Sequence, residues 1–175
     1  MLTKNFWKVF TALVGRVQGE VKEVTVTLPN GSSYTNNIYG TNAKPYSMLG
    51  AISGPWCNEK IGTWFGVWYG TGNTPASIDD YKLEAAITDG SLSAKAGSSA
   101  LVASVEADCV RISGPHSITN VTSKDIAISE IGCLGQIESG GNSFLLDHTV
   151  LETPIVIPAG KTVALEYVIK FPFGS

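Results

Sequence analysis

Charge is scarce in this chain. Of its 175 residues only 15% are Asp, Glu, Lys or Arg, against roughly 25% in an ordinary soluble domain, so Ser, Thr, Asn and Gly must cover much of the surface. A surface of that kind suits extended β-proteins and proteins whose faces are covered by neighbouring copies. The 12 basic side chains, set against 15 acidic ones, leave a formal net charge of −3 and form no run. Neutralising a phosphate backbone needs a clustered positive face, so no nucleic-acid partner is expected.

Histidine is nearly as scarce, with His116 and His148 the two in the chain. No serine stands in a G-x-S-x-G elbow and no Cys/His signature is evident, which leaves nucleophilic hydrolase chemistry without its usual base. The stretch "SGPHS" puts His116 in a loop, and "LLDHTVLE" puts His148 on a strand in a surface or satisfied structural role. Cys57, Cys109 and Cys133 are odd in number, irregularly spaced and without C-x-x-C spacing. That excludes a fully paired disulfide framework and argues against a zinc site, so the cysteines read as small buried apolar residues. No apolar run approaches the ~20 residues that span a bilayer. The opening "MLTKNFWKVFTALVGRVQGE" is interrupted by Lys8 and followed by no small-residue cleavage site, so neither a membrane partner nor signal-peptide export is expected.

What is present is β-structure behind one helix. Leu2, Phe6, Val9, Phe10, Leu13 and Val17 recur at spacings of three and four, which predicts an amphipathic helix over residues 1–18 with Gly15 as its stop. Its stripe, Leu2, Phe6, Val9, Phe10 and Leu13, either packs on the core or serves as an oligomer interface. From Val21 the period changes to two: "VKEVTVTLPNGSSYT" alternates and then turns at Pro-Asn-Gly, a hairpin. Residues 36–60 hold no period and are rich in Gly, Pro and Asn, a long surface excursion of the sort where binding happens. Further strands are expected in "IGTWFGVWYG", "YKLEAAI", "ALVASVEADCVRI", "KDIAISEIGCLG", "NSFLLDHTVLE" and "KTVALEYVIKF", joined by turn-forming linkers.

Roughly eight strands after one helix predict a mainly β protein, an antiparallel β-sandwich or jelly roll with one N-terminal helix. The length fits a single domain, 1–175, with the sandwich over 19–175. There is no internal repeat.

Two constellations raise a binding or catalytic reading. Asp79, Asp80 and Glu84 are carboxylates near one another, yet adjacent aspartates on a strand point to opposite sides and rarely straddle a glycosidic bond. As calcium ligands they provide part of a set at most, so a turn or capping role is the expectation and no catalytic, metal or cofactor site is assigned. Trp56, Trp64, Trp68 and Tyr69 form the second, since flat aromatic faces stack on sugars. Trp64 and Trp68 share a face on a regular strand, either as core, as subunit interface or as a ligand platform. Asn30 and Asn120 each open an N-x-Ser/Thr sequon, which means little without export.

The segments "GTGNTPASIDDYKLE", "ISEIGCLG" and "FLLDHTVLETPIVIPAGKTVALEYVIKF" stand in an order that resembles small virion structural proteins of tailed bacteriophages. In that family a G-T-G loop leads to a D-Y-x-L-E step, an E-I-G strand follows, and a P-x-x-V-x-A-G-like hairpin closes the domain. The resemblance covers roughly residues 61–89 and 125–171. At "LLDHT" it leads one to expect an arginine, where this chain has Asp147 and His148 instead. The resemblance implies a non-enzymatic virion component of the head, neck or tail that acts through repeated subunit contacts, with other copies of itself, other virion proteins and a host surface glycan as candidate partners. It implies no cofactor and no catalytic residue. The alternative is a carbohydrate-binding module.

Overall fold

A computed structural model of the chain describes residues 1–14, 22–38, 66–96, 102–136 and 142–172. One helix, α1 (Lys4–Val14), is followed by β1 (Lys22–Thr27), β2 (Ser33–Ile38), β3 (Gly66–Gly70), β4 (Leu92–Ala96), β5 (Val102–Val105), β6 (Cys109–Asn120), β7 (Ile126–Gln136), β8 (Ser143–Ile157) and β9 (Thr162–Pro172). The protein is mainly β with antiparallel sheets, as its alternating sequence predicts.

Residues 1–3, which the apolar spacing places in the helix, are extended. The amide of Thr3 donates to the Leu146 carbonyl and that of His148 to the Met1 carbonyl, so these residues line the edge of β8. Thr3 then caps the helix, its Oγ1 accepting from the Phe6 amide at 3.4 Å, a long but correctly placed N-cap contact. Phe6 and Val9 point into the core, while Trp7 and Phe10 are largely exposed. Asn5 fastens the helix to the hairpin, its side-chain amide donating to the Thr27 carbonyl and accepting from the Thr27 amide. The Pro-Asn-Gly turn falls between β1 and β2 as expected, with Gly31 at φ +84° supplying the left-handed residue.

Two larger sheets carry the fold. In the first, β7 lies between β3 and β8. In the second, β9 pairs with β6 along residues 109–119, so β4 (against 116–120) and β5 (against 110–113) lie end to end on the opposite edge of β6. Both sheets send buried residues into one core, Tyr69, Ile128 and Phe144 from the first and Leu92, Ile118 and Tyr167 from the second. That is a sandwich-like layering. Because β6 pairs with β9 while β7 pairs with β8, these four strands form one long two-stranded ribbon folded from sheet to sheet, the wrapping used in jelly rolls. The "PIVIPAGKTV" stretch is a tight turn but not a hairpin between partners, since β8 and β9 belong to different sheets.

The fold line of the ribbon is held by Asn120, which is fully buried. Its Nδ2 donates to the carbonyls of Lys124 and Ile157 at 2.7 and 2.9 Å, and its Oδ1 accepts from the Thr122 amide and hydroxyl. One side chain thereby ties the two corner loops together.

Two local expectations are corrected. "YKLEAAI" is not a strand; a single bridge, Gly70 to Ala86, is its one sheet-like contact. "SGPHS" is not a loop: it lies inside β6, where His116 is buried. Gly114 and Pro115 fall in the gap between the β4 and β5 pairings and have β9 as their one ladder partner among the described residues, a place where a missing amide hydrogen is tolerated. β4 lies in a stretch to which the sequence assigns no strand.

Candidate functional site

Alternation along β7 places Glu130, Gly132 and Leu134 on the face of the first sheet that points away from the shared core. A polar residue there reads as solvated. Glu130 is instead completely buried, because the segment after β3, residues 71–86, folds back over this face. Leu83 anchors it, packing with Leu134 and Leu145. A Cβ on Gly132 would stand 2.8 Å from Leu83 Cδ2 and 2.9 Å from Leu145 Cδ1, so glycine makes the socket that Leu83 fills.

The Glu130 carboxylate organises the segment that covers it. Oε1 accepts from the amides of Gly72 (3.1 Å) and Ala85 (2.7 Å), and Oε2 accepts from the amide of Glu84 (2.9 Å) and meets His148 Nε2 at 3.0 Å. A buried carboxylate costs a great deal of free energy unless it is fully hydrogen-bonded, and here both oxygens are engaged. The close approach needs glycine: a Cβ on Gly72 would lie 2.6 Å from Glu84 Cβ and 2.7 Å from Glu130 Oε1, and one on Gly70 would lie 2.7 Å from the Ala85 carbonyl oxygen.

His148, across the β7–β8 pairing from Gly132, extends the chain of contacts. Its Nδ1 stands 2.6 Å from Asp80 Oδ2, and the same oxygen accepts from the Ser77 amide at 2.7 Å. The imidazole, almost wholly buried, therefore bridges a buried carboxylate and a half-exposed one. Both ring nitrogens are thereby engaged, one by each carboxylate. Glu84 turns the other way and accepts from the amides of Asn73 and Thr74 and the Thr74 hydroxyl. The Thr74 amide and hydroxyl, then the Asn73 amide and the charge of His148, hold its carboxyl below the ordinary value. Asp79 pairs with Lys4 at the start of α1.

On the core side of the same strands sit two further polar groups. The Tyr69 hydroxyl meets His116 Nε2 between the two sheets, and burial pushes the His116 pKa down. Tyr167 donates to Asp147 Oδ2 at 3.0 Å, and Asp147 Oδ1 lies 3.0 Å from the Met1 ammonium. Cys133 lies opposite Asp147 in the β7–β8 register; burial, with the charge of Asp147 behind it, pushes its thiol up to about 12. A β-bulge at Leu146 brings both Leu146 and Asp147 to the core side. At the β5–β6 turn, ligand-type atoms of Glu106, Asp108 and Cys109 lie within 4.8 Å of one another. Glu106 there already faces Arg111 and Lys170.

The residues singled out from sequence are thus dispersed. Asp80 and Glu84 join the clamp, Asp79 the helix start. Trp68 is half-buried beside Leu83, Leu134 and Leu145, and Tyr69 is fully buried in the shared core. Trp56 and Trp64 lie outside the described residues, as does nearly all of the 36–60 excursion. Of the helical stripe, Phe6 and Val9 are core, Leu2 packs beside it and bridges to Asp147, and Phe10 is exposed. Leu13 lies in α1, but its side chain is outside the described set. Periodicity and motif spacing do not single out Glu130, the centre of the clamp. The signal that points to it is the trio Gly70, Gly72 and Gly132 beside a lone acidic residue.

Fold and site together define a mainly β protein whose outer polar cluster clamps a connecting segment onto a sheet. Comparison with protein-family models, with curated proteins and with solved structures finds no match to this chain.

Proposed function

We propose that this protein is a non-enzymatic structural component of a bacteriophage virion, at the head, neck or tail, that works through repeated subunit contacts. The observation that carries the non-enzymatic part is the saturation of the clamp. Glu130 accepts from three backbone amides and meets His148, and both nitrogens of His148 face carboxylates. Groups so engaged and so buried have no free lone pair or proton to offer a substrate; their work is to hold residues 71–86 in one shape.

The same geometry supports the structural reading of the motifs. Gly70-Thr71-Gly72, Asp80-Tyr81-Lys82-Leu83-Glu84 and Glu130-Ile131-Gly132 are separate in sequence but meet at one point, each supplying what another needs. The virion assignment itself rests on the resemblance of those motifs in their order. Immunogold labelling of particles from cells carrying this coding sequence tests it. Regular labelling at one position on the particle supports the proposal, and particles that never carry the label sink it.

A further inference from the structure

We propose that β9 is a homodimerisation edge, pairing antiparallel with β9 of a second copy about a two-fold axis through Val168. The inference deepens the assembly reading and rests on it for taking another copy as the partner.

The argument starts from how the other edges are treated. An uncovered strand edge offers unpaired amides and carbonyls to any passing strand, and proteins usually blunt it. The first sheet is blunted at both sides, on β8 by backbone cover only up to His148; from Thr149 to Ile157 its outer edge has no backbone partner among the described residues but carries Pro154 and a register shift. Residues 1–3 cover part of β8, through Thr3 to Leu146 and His148 to Met1, and residues 85–87 cover β3, through Ile87 to Tyr69 and Thr71 to Ala85. In the second sheet the β4 and β5 side is short and interrupted. β9 differs: it pairs with β6 over Thr162–Pro172 without a register shift, and among the described residues none bonds to its other edge. No bulge twists it away, and no proline interrupts it before Pro172.

The side chains say what fits there. Along β9 the even-numbered positions face solvent and the odd-numbered ones are half-buried or buried. In a two-fold antiparallel pair centred on Val168, each Glu166 lies opposite the partner's Lys170, giving two opposite-charge pairs flanking Val168 against Val168. Val168 is an exposed large apolar residue. On the other face the same register sets Tyr167 against the partner's Ile169 and Leu165 against the partner's Phe171, extending the apolar layer across the junction. Shifting the axis to Glu166 or Lys170 would set like charges against each other, which is destabilising on a sheet surface. Shifting it to Tyr167 or Ile169 leaves neither charge with a partner. The edge is self-complementary in one register, as an isologous contact requires.

The test uses the full chain. Light scattering on the eluting protein is expected to give a dimer. Glu166→Lys or Lys170→Glu alone should weaken dimerisation about tenfold or more, and the double swap should recover most of it. Within one chain Glu166 pairs with Arg111 at 2.9 Å and Lys170 with Glu106 at 3.5 Å; the double swap sets a cation towards Arg111 and a carboxylate towards Glu106, so recovery has to come from the cross-copy pairs. Independently, in a Cys57→Ser background, Val168→Cys should form a covalent dimer on mild oxidation, because facing residues of an antiparallel pair are about 4.5–5.5 Å apart. Glu166→Cys should not, since its two copies would be roughly 14 Å apart along the strands. A monomeric wild type overturns the proposal, as does a dimer that ignores the single swaps, a double swap that fails to recover, or equal cross-linking at 166 and 168. An oligomer indifferent to these changes overturns the edge and leaves the assembly reading standing; that reading falls on unlabelled particles.

Discussion

Glu130 Oε2 and His148 Nε2 stand 3.0 Å apart on neighbouring strands, both side chains buried, with Asp80 closing the far side of the ring. This pair turns a connecting segment into a fixed part of the sheet. Removing one partner of a buried hydrogen-bonded pair leaves the other short of a partner, which costs about 1–3 kcal/mol. His148→Ala is therefore expected to lose stability in that range in urea unfolding. Glu130→Ala strands the amides of Gly72, Glu84 and Ala85 as well and should be at least as severe. The double variant should cost clearly less than the sum, because the two side chains share one interaction. Additive losses would show that the pair is not coupled.

The glycines around the clamp should rank by what a methyl group meets. Gly70→Ala runs into the Ala85 carbonyl, which is backbone and cannot swing aside, as well as the Glu130 carboxylate. Gly132→Ala meets the ends of Leu83 and Leu145, which can shift by changing rotamer, and its one backbone neighbour, the Asp147 carbonyl oxygen, stands further off at 3.3 Å. The first should cost about 2–3 kcal/mol and the second about 1 kcal/mol, in line with overpacking of a tight interior. Gly90→Ala meets nothing within 4 Å but sits at φ +81°, so its cost of roughly 1 kcal/mol comes from the backbone alone. Melting temperatures of the three variants check the order, and a Gly132 loss exceeding that of Gly70 would contradict it.

The ribbon's folds make a separate demand on Asn120. Its Nδ2 donates to two carbonyls and its Oδ1 accepts from Thr122. Asn120→Ala leaves those carbonyls without their donor and should cost about 2–4 kcal/mol. Asn120→Asp keeps the acceptor but sets a carboxylate oxygen against the Lys124 and Ile157 carbonyls, so it should be no better than alanine. A calorimetric melt in which the aspartate variant matches the wild type would show that the corner is held by something else.

Much of this architecture was legible because periodicity reports which face is apolar. Val163, Leu165, Tyr167 and Ile169 alternate with exposed residues and do face the core side of β9, and the Pro-Asn-Gly turn does join β1 to β2. "YKLEAAI" misleads for a physical reason. Its one buried leucine and its alternation suit a strand, but the amides of Glu84 and Ala85 bond to a side chain, Glu130, in place of a ladder. "SGPHS" misleads because Gly-Pro normally marks a turn, whereas here it occupies a break in the neighbouring strand. The clamp was illegible because its partners lie 46 and 68 residues apart, and alternation cannot tell a solvated glutamate from one beneath a loop.

His116 gives the fold an acid limit. Burial lowers the pKa of its imidazole from the ordinary 6.5, so the unfolded chain takes up the proton more readily than the native one. Stability is held above that ordinary value and is lost as pH falls below it towards the lowered native one. His116→Gln, which has no such proton to gain, should show a smaller difference in unfolding free energy between about pH 8 and about pH 5. An unchanged difference would remove His116 from the account.

Cys133 sets the opposite, alkaline limit. Burial first, and then the negative charge of Asp147, raise its thiol from 9.0 to about 12, so above about pH 9 the unfolded chain loses a proton that the native one keeps. Stability from this group is complete below the unfolded value and falls as pH rises towards the native one, by at most about 1.4 kcal/mol per unit. Tyr167 moves in the same direction, pushed up by burial and then by the charges of Cys133 and Asp147, so a shallower fall should remain in Cys133→Ala. The same displacement predicts that native Cys133 resists iodoacetamide at about pH 8, where a free thiol would react through its thiolate. Peptide mapping after a timed pulse reads the outcome directly. Labelling of Cys133 at the rate of an open thiol, without unfolding, would mean that the pocket shared with Asp147 and Tyr167 admits solvent, and the alkaline slope assigned to Cys133 should then disappear with it.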